Sequence, residues 1–170
     1  MGVRVADLKK WAGREETVAF HQAPWPDLQE RLAGRAAGPV DVQARVRHTG
    51  GSSILVEVDG VAVVADECAR CLEPTVAVVR FADAQEYRPV IPGDDDDWLL
   101  YANDVVELDA WVADAVAVAV PLVSLCRADC KGLCPVCGAD WNRGSCGCEP
   151  GPDARWAALS TLVSKDEGGN

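Results

Sequence analysis

The stretch VDVQARVRHTGGSSILVEVDGVAVVADE, residues 40–67, decides the fold class. In its first part, apolar side chains alternate with polar ones from Val42 to Val46, which predicts a strand buried on one face. The second part is an apolar run interrupted at Asp59-Gly60, a dipeptide favoured in two-residue hairpin turns. We therefore expect two short strands joined at that turn, and a further strand at about residues 75–81. Together these strands predict an antiparallel β-meander.

Amphipathic stretches outside the meander are predicted to be helices. One, in PWPDLQERLAGRAAGP at residues 24–39, begins with a proline and ends at Gly34 or Gly38, because proline suits the start of a helix and glycine its end. Another follows Asn103 and Asp104, residue types that suit a helix start. A short strand and a helical turn are expected at the N-terminus. The prediction is an α+β fold, an antiparallel β-meander with a few packed helices, including helices at residues 105–120 and 152–163.

The length of 170 residues predicts one main domain with small additions. We expect an α+β body at residues 1–125, with a solvated acidic loop at about 92–98. A zinc-binding knuckle is expected at 126–150, followed at 151–170 by a C-terminal helix and a frayed tail. Neither a signal peptide nor an uncharged run of about 18 apolar residues is found in the sequence, so a cytoplasmic location is expected.

Charge is distributed unevenly along a chain whose formal net charge is −11. Residues 83–114 carry ten Asp or Glu residues and a single Arg, whereas residues 126–148 carry three basic and two acidic residues. A chain this acidic is not expected to attract nucleic acid over its whole surface, since that attraction comes from Lys and Arg. Contact with RNA is expected to be local, and a basic protein partner also fits.

Six of the eight cysteines lie between residues 126 and 148. Four of them form two close pairs, Cys134-x2-Cys137 and Cys146-x-Cys148, a spacing typical of a four-thiolate zinc site. Gly138 follows the second thiol, where such a turn needs a positive φ. In the reducing cytoplasm, clustered cysteines favour metal binding over disulfides. We therefore predict one Zn²⁺ bound by these four residues.

The other four cysteines leave alternatives open. Cys126 and Cys130 together with Cys68-x2-Cys71 could form a second four-thiolate site, which would raise the number of zinc ions to two. Alternatively, Cys130 could replace one of the first four ligands. Cys68 and Cys71 could also be small, half-buried residues at a strand turn.

Catalysis is not expected. The sequence has two histidines, His21 and His48, both far along the chain from the cysteine segment, and His48 beside Gly50-Gly51 is expected to be a surface loop residue. Hydrolase, phosphate-loop, metalloprotease and dinucleotide motifs are not found. A thiol redox role is disfavoured, because that motif should open a helix and here Pro74 and a predicted strand follow Cys71.

Two motifs carry a resemblance to a known family: CARCLEP at residues 68–74 and CRADCKGLCPVCG at residues 126–138. With QEYRP and DARWAAL around them, the chain resembles the YceD-like family of large ribosomal RNA subunit accumulation proteins. The resemblance implies a cytoplasmic bacterial, or plastid-derived, ribosome biogenesis factor that is not a catalyst. Because some members keep the central pair without the C-terminal cysteines, it favours a local role for Cys68 and Cys71. The matching positions are Cys68, Arg70, Cys71, Leu72 and Pro74, then Cys126, Cys130, Gly132, Leu133, Cys134, Pro135, Cys137 and Gly138.

The expected partners are large-subunit precursor ribosomal RNA, a basic ribosomal protein, or both, with no membrane and no small-molecule substrate. The candidate contacts are the three basic residues of the cysteine segment and the arginine of the central motif, namely Arg127, Lys131, Arg143 and Arg70. The main alternative function is a zinc-ribbon adaptor in a protein-only complex, for example in transcription.

Overall fold

The computed structural model describes residues 1–11, 13–90, 99–149 and 155. The chain divides into two compact units. The first, called here the sheet unit, comprises Met1–Ala69 and Glu73–Cys126. The second, the cysteine unit, comprises Arg70–Leu72 and Arg127–Asn170. The predicted acidic loop and, apart from Arg155, the predicted C-terminal helix and tail lie outside the described residues.

The sheet unit contains a five-stranded sheet, a two-stranded sheet and two helices. In chain order its elements are β1 Gly2–Arg4, a 3₁₀ turn Leu8–Lys10, β2 Glu15–Gln22, α1 Pro26–Arg31, β3 Ala36–Gly50, β4 Ser53–Glu67, β5 Pro74–Pro89, β6 Leu99–Tyr101, β7 Val105–Glu107 and α2 Asp109–Ala119. The five-stranded sheet has the order β2-β3-β4-β5-β6, and β1 pairs with β7. All neighbours are antiparallel except β5 and β6, which are parallel. The α+β class and the antiparallel meander are therefore confirmed.

One face of the five-stranded sheet is buried. Every second residue of β3 from Val40 to Val46 lies in the core, while the residues between them are exposed. The same alternation continues in β4 from Ile54 to Val58. These side chains form one apolar cluster with residues of both helices and of the N-terminus, including Leu8, Leu28, Val112 and Val116. Neither helix in the described part of the chain has the length and apolar character needed to cross a membrane.

The predicted hairpin turn at Asp59-Gly60 is wrong. β4 runs unbroken through this dipeptide, and the chain instead reverses at Gly50-Gly51, where the φ angles are 127° and 60°. Gly60 is required for close packing between strands. A Cβ atom at this position would lie 2.3 Å from the carbonyl oxygen of Asp41 and 2.5 Å from Cζ of Phe81. The glycine permits a close approach inside the sheet rather than a reversal of the chain.

The predicted helix at 105–120 begins later than expected. Residues 105–107 form β7, which pairs with β1, and α2 starts at Asp109. Asn103 and Asp104 have φ angles of 53° and 58°, so they turn the chain before β7 instead of capping the helix. The helix predicted within residues 24–39 is present and begins at the second proline, Pro26, and Gly34, with a φ of 92°, follows its end.

His48 is not a surface loop residue. It continues the inward-facing row of β3 and is 5% exposed, with Nε2 3.1 Å from the carbonyl oxygen of Gly51. The alternation that buries Val46 buries His48 two residues later, because side chains repeat every two residues along a strand. His48 belongs to neither cysteine group described below.

Candidate metal centre

All eight cysteines lie in the described part of the chain, and they form two groups of four. In each group the four Sγ atoms lie within 4.8 Å of one another. Thiolates around a tetrahedral zinc ion, at a Zn–S distance of about 2.3 Å, lie about 3.7 Å apart. Each group could therefore hold a metal ion. The first group is Cys134, Cys137, Cys146 and Cys148, and the second is Cys68, Cys71, Cys126 and Cys130.

Cys134 and Cys137 occupy a tight turn closed by backbone hydrogen bonds. The N–H of Gly138 donates to the carbonyl of Cys134 at 2.9 Å, and the N–H of Cys134 donates to the carbonyl of Ala139 at 2.8 Å. Gly138 has the predicted positive φ, 72°. The N–H of Val136 donates to Sγ of Cys134 at 3.4 Å. An N–H group directed at a sulfur stabilises its thiolate, as outer-shell donors do at metal sites.

Trp141 stabilises a thiolate of the other pair, Cys146 and Cys148, in the same way. Its indole N–H donates to Sγ of Cys146 at 3.3 Å, and this hydrogen bond lowers the pKa of Cys146 to about 6. A hydrogen bond with the Cys137 sulfur, aided by burial, raises the pKa of Cys148 to about 12. The Cys146 thiol thus loses its proton readily, whereas the Cys148 thiol retains its proton. A bound cation favours all four thiolates, which is the chemistry that the donor set suits.

Asn142 and Arg70 hold Cys130 within the cysteine unit. The Arg70 guanidinium donates to the carbonyl of Cys130 at 2.7 Å, and the side-chain amide of Asn142 donates to its Sγ at 3.5 Å. The Asn142 side-chain oxygen accepts the N–H of Lys131 at 2.9 Å. Gly132, with a φ of 76°, leaves room for the approach, since a Cβ there would lie 2.9 Å from the Arg70 carbonyl oxygen.

The roles of Trp141 and Asn142 were not predicted from the sequence. A signal was nevertheless present. Both residues lie between the two cysteine pairs of a polar segment that has no amphipathic periodicity and thus no evident core to bury an indole ring. An aromatic residue in such a segment indicates that it packs against the cysteines themselves.

Three of the four predicted basic residues come together. Arg70, Lys131 and Arg143 line one open hollow of about 920 Å³ in the cysteine unit, and Trp141 and Asn142 line it with them. Arg127 is not among the residues that line the hollow. Lys131 and Arg143 were predicted from charge and Arg70 from a motif, so the convergence of these three on one concave surface is a result of the fold.

Two arginines of this region make ion pairs in which the guanidinium is exposed. Nε of Arg143 lies 3.3 Å from an oxygen of Asp140, and Nε of Arg127 lies 3.4 Å from an oxygen of Asp129. A hydrogen bond from the N–H of Asn142 lowers the pKa of Asp140, which keeps that carboxylate charged. Exposed ion pairs contribute little free energy, so an anionic ligand can compete for these cations.

Cys68 and Cys71 lie in the turn between β4 and β5. Their grouping with Cys126 and Cys130 favours the second-site alternative over the purely local role that the family resemblance suggested. Cys68 is 0% exposed and Cys71 is 6% exposed. A redox-active thiol must be reached by its partner, so this burial argues against a thiol redox function.

Comparison with known proteins identifies the family of this chain. The family model for the large ribosomal RNA subunit accumulation protein YceD matches residues 56–163. The chain belongs to the YceD family. Both cysteine groups and the residues of the basic hollow lie inside the matched range.

Similar proteins occur in mycobacteria. An uncharacterised protein of Mycobacterium tuberculosis is 30% identical over 137 residues, which cover 75% of this chain and 63% of the relative. An uncharacterised protein of Mycobacterium leprae is 28% identical over 138 residues, covering 75% of this chain and 61% of the relative. The chain therefore spans less than two thirds of the length of these curated relatives. No solved structure matches the chain.

Proposed function

We propose that this YceD-family protein supports the accumulation of large-subunit ribosomal RNA by binding single-stranded precursor RNA through its cysteine unit, without catalysing a reaction. The observation that carries the proposal is the hollow that Arg70, Lys131 and Arg143 line together with Trp141. The family's description, large ribosomal RNA subunit accumulation protein, supports the choice of ribosomal RNA as the ligand.

The hollow combines the two kinds of contact that single-stranded RNA needs. Guanidinium and ammonium groups bind phosphates and position the strand, while an aromatic ring offers a surface on which an unstacked base can lie. Trp141 is held in place by its hydrogen bond to Cys146, and Arg70 by its hydrogen bond to Cys130. Fixed side chains lose little conformational entropy on binding, which favours affinity.

The metal that we propose is zinc, with one ion bound by each cysteine group in the bacterial cytoplasm, where thiols stay reduced. Four thiolates are typical of structural zinc sites, in which no coordination position is left for water or substrate. Zinc would supply folding free energy to the cysteine unit, and this unit's residues would present the basic hollow. A non-catalytic role follows from such closed sites. We also propose a basic ribosomal protein as a second partner, and neither a membrane nor a small-molecule substrate.

Sedimentation of a bacterial lysate tests this function. The tagged full-length protein is expected to sediment with large-subunit precursor particles in a sucrose gradient. A variant with Arg70, Lys131 and Arg143 changed to Gln is expected to move largely to the light fractions, because it lacks the cations that bind phosphate. Immunoblots of the fractions, with zinc content measured on both proteins, provide the readout.

A matched control carries the same change in charge on the sheet unit, with exposed Arg14, Arg45 and Arg47 changed to Gln. It should sediment like the unaltered protein. An unaltered protein that stays in the light fractions would support the zinc-ribbon adaptor instead. A triple variant that sediments like the control would show that the hollow is not the RNA contact.

A further inference from the structure

One edge of the five-stranded sheet is open over most of its length. β5 pairs with β4 from Pro74 to Tyr87, but it pairs with β6 only from Tyr87 to Pro89. From Pro74 to Glu86, the other edge of β5 has no strand partner in the described part of the chain. Backbone N–H and C=O groups along such an edge are available for pairing with another extended segment.

This edge lacks the usual protection against pairing. Charged side chains, prolines and bulges commonly block an edge strand. Here the pairing of β4 with β5 is continuous in register, proline occurs only at the first position, Pro74, and the charged residues from there to Glu86 are Arg80, Asp83 and Glu86 itself. On the outer face of the strand, Val76 and Val78 are 60% and 64% exposed. An apolar, regular and open edge of this length indicates a surface that is covered by a partner.

The other face of the same edge forms a groove. β5 and α2 enclose a cleft of about 680 Å³, lined by Phe81, Tyr87 and Trp111. Val118, 87% exposed, lines the cleft from α2. A strand added beside β5 would direct alternate side chains into this groove and toward Val76 on the outer face. An edge strand beside a helical groove is the arrangement by which domains bind extended peptides as an additional strand.

The charges of the groove select the partner. Three carboxylates line it, those of Asp83, Glu107 and Asp114, against the single guanidinium of Arg80. Asp83 accepts the indole N–H of Trp111 at 2.6 Å, and Asp114 pairs with Arg31, so both carboxylates are held in place. All three carboxylates belong to the most acidic part of the chain, residues 83–114.

We propose that the groove between β5 and α2 binds an extended, lysine- and arginine-rich protein segment as a sixth strand of the sheet. The inference rests on the proposed function only in its choice of a basic ribosomal protein as the partner. The site lies wholly within the sheet unit, and it needs neither zinc nor RNA.

The probe is a fluorescein-labelled peptide of about ten residues in which Lys alternates with Val, titrated into the full-length protein. Two versions are N-methylated on alternate residues, in the two different phases. One phase removes the N–H groups that face β5 and should abolish binding, whereas the other phase should leave binding intact. Hydrogen exchange should slow along residues 75–86 when the unmodified peptide binds.

Protein variants locate the site. Val118→Arg places a cation in the groove and is expected to weaken binding of the Lys-Val peptide at least tenfold. In Val118→Glu the new side chain is also long but carries the opposite charge to arginine. This variant should bind the Lys-Val peptide more tightly than Val118→Arg does. Val136→Arg changes an exposed valine of the cysteine unit by the same charge and should leave the affinity unchanged. The triple variant Arg70, Lys131 and Arg143 to Gln should also bind the peptide normally, which separates this site from the RNA proposal.

Three outcomes would overturn the inference. The first is equal binding of a peptide in which Glu replaces Lys, and the second is equal binding of both N-methylated peptides. The third is a concentration-dependent dimer, seen by light scattering, that protects residues 75–86 without peptide and is disrupted by Val118→Arg. That result would assign the open edge to a second copy of this chain.

Discussion

Replacing Cys134 and Cys137 by Ser is expected to remove one metal ion per chain and to unfold residues 131–149, while the second cysteine group and the sheet unit stay folded. Between residues 127 and 149, the buried apolar residues that the structure describes are Cys130 and Cys134, so this region has little core of its own. Structural zinc supplies about 10–16 kcal/mol in small zinc-binding peptides. Loss of that free energy should expose residues 131–149 to rapid hydrogen exchange, measured by mass spectrometry, with unchanged protection in the strands.

Metal analysis of the same proteins separates one site from two. We expect two zinc ions per unaltered chain, one after the change at Cys134 and Cys137, and one after the equivalent change at Cys68 and Cys71. Val136→Ser is the control, because it adds a hydroxyl between two ligands and removes none. A stoichiometry of one that is unaffected by the change at Cys68 and Cys71 would contradict the second site. Unchanged metal content in the Cys134 and Cys137 variant would contradict the first.

Gly60→Ala is expected to lower the free energy of unfolding of the sheet unit by about 3 kcal/mol, at the upper end of the usual cost of overpacking. The added methyl group would meet the backbone oxygen of Asp41 and the ring of Phe81, and the backbone atom can move only if β3 moves with it. Urea unfolding followed by far-UV circular dichroism measures the effect. Asp59→Ala, at the adjacent and half-exposed position of β4, should change the stability by less than about 0.5 kcal/mol.

A second variant separates the two contacts of Gly60. In Gly60→Ala combined with Phe81→Leu, the ring contact is gone and the backbone contact remains, so the combined loss should be smaller than the sum of the two single losses. An unfolding midpoint of Gly60→Ala equal to that of the unaltered protein would contradict the close packing of β3, β4 and β5 around this glycine.

Gly60 also shows where sequence patterns mislead. Asp-Gly is a local turn signal, but a glycine inside a strand can equally mark a close approach of a neighbour, and the sequence does not distinguish these two uses. The alternation around Val42 fixed the strand and its buried face, because that periodicity comes from the chain itself. The chain reverses at Gly50-Gly51 and not at Asp59-Gly60, because β4 pairs with β5 through the latter dipeptide. That pairing is a property of the folded sheet and cannot be read from the local sequence.

Long-range partners explain the other differences. Residues 105–107 become a strand because β1, from the opposite end of the chain, pairs with them. Cys134, Cys137, Cys146 and Cys148 were predictable because the spacing of close pairs is local. The grouping of Cys68 and Cys71 with Cys126 and Cys130 required the fold.

The basic hollow was predictable in part. The net charge of residues 126–148 selected Arg127, Lys131 and Arg143 without indicating which of them share a surface. The structure brings two of them together with Arg70, which lies about 60 residues earlier in the sequence and is tied to Cys130 by a hydrogen bond. Arg127, although in the same segment, is not among the residues that line the hollow.

Binding of a single-stranded RNA oligonucleotide from large-subunit ribosomal RNA, measured by fluorescence anisotropy over a range of NaCl concentrations, tests the central claim most directly. For three phosphate contacts, changing Arg70, Lys131 and Arg143 to Gln should reduce the slope of log K against log salt by about 2, at about 0.7 per contact for single strands. The control variant at Arg14, Arg45 and Arg47 should keep the original slope. An unchanged affinity and slope in the hollow variant, with its zinc retained, would contradict the account.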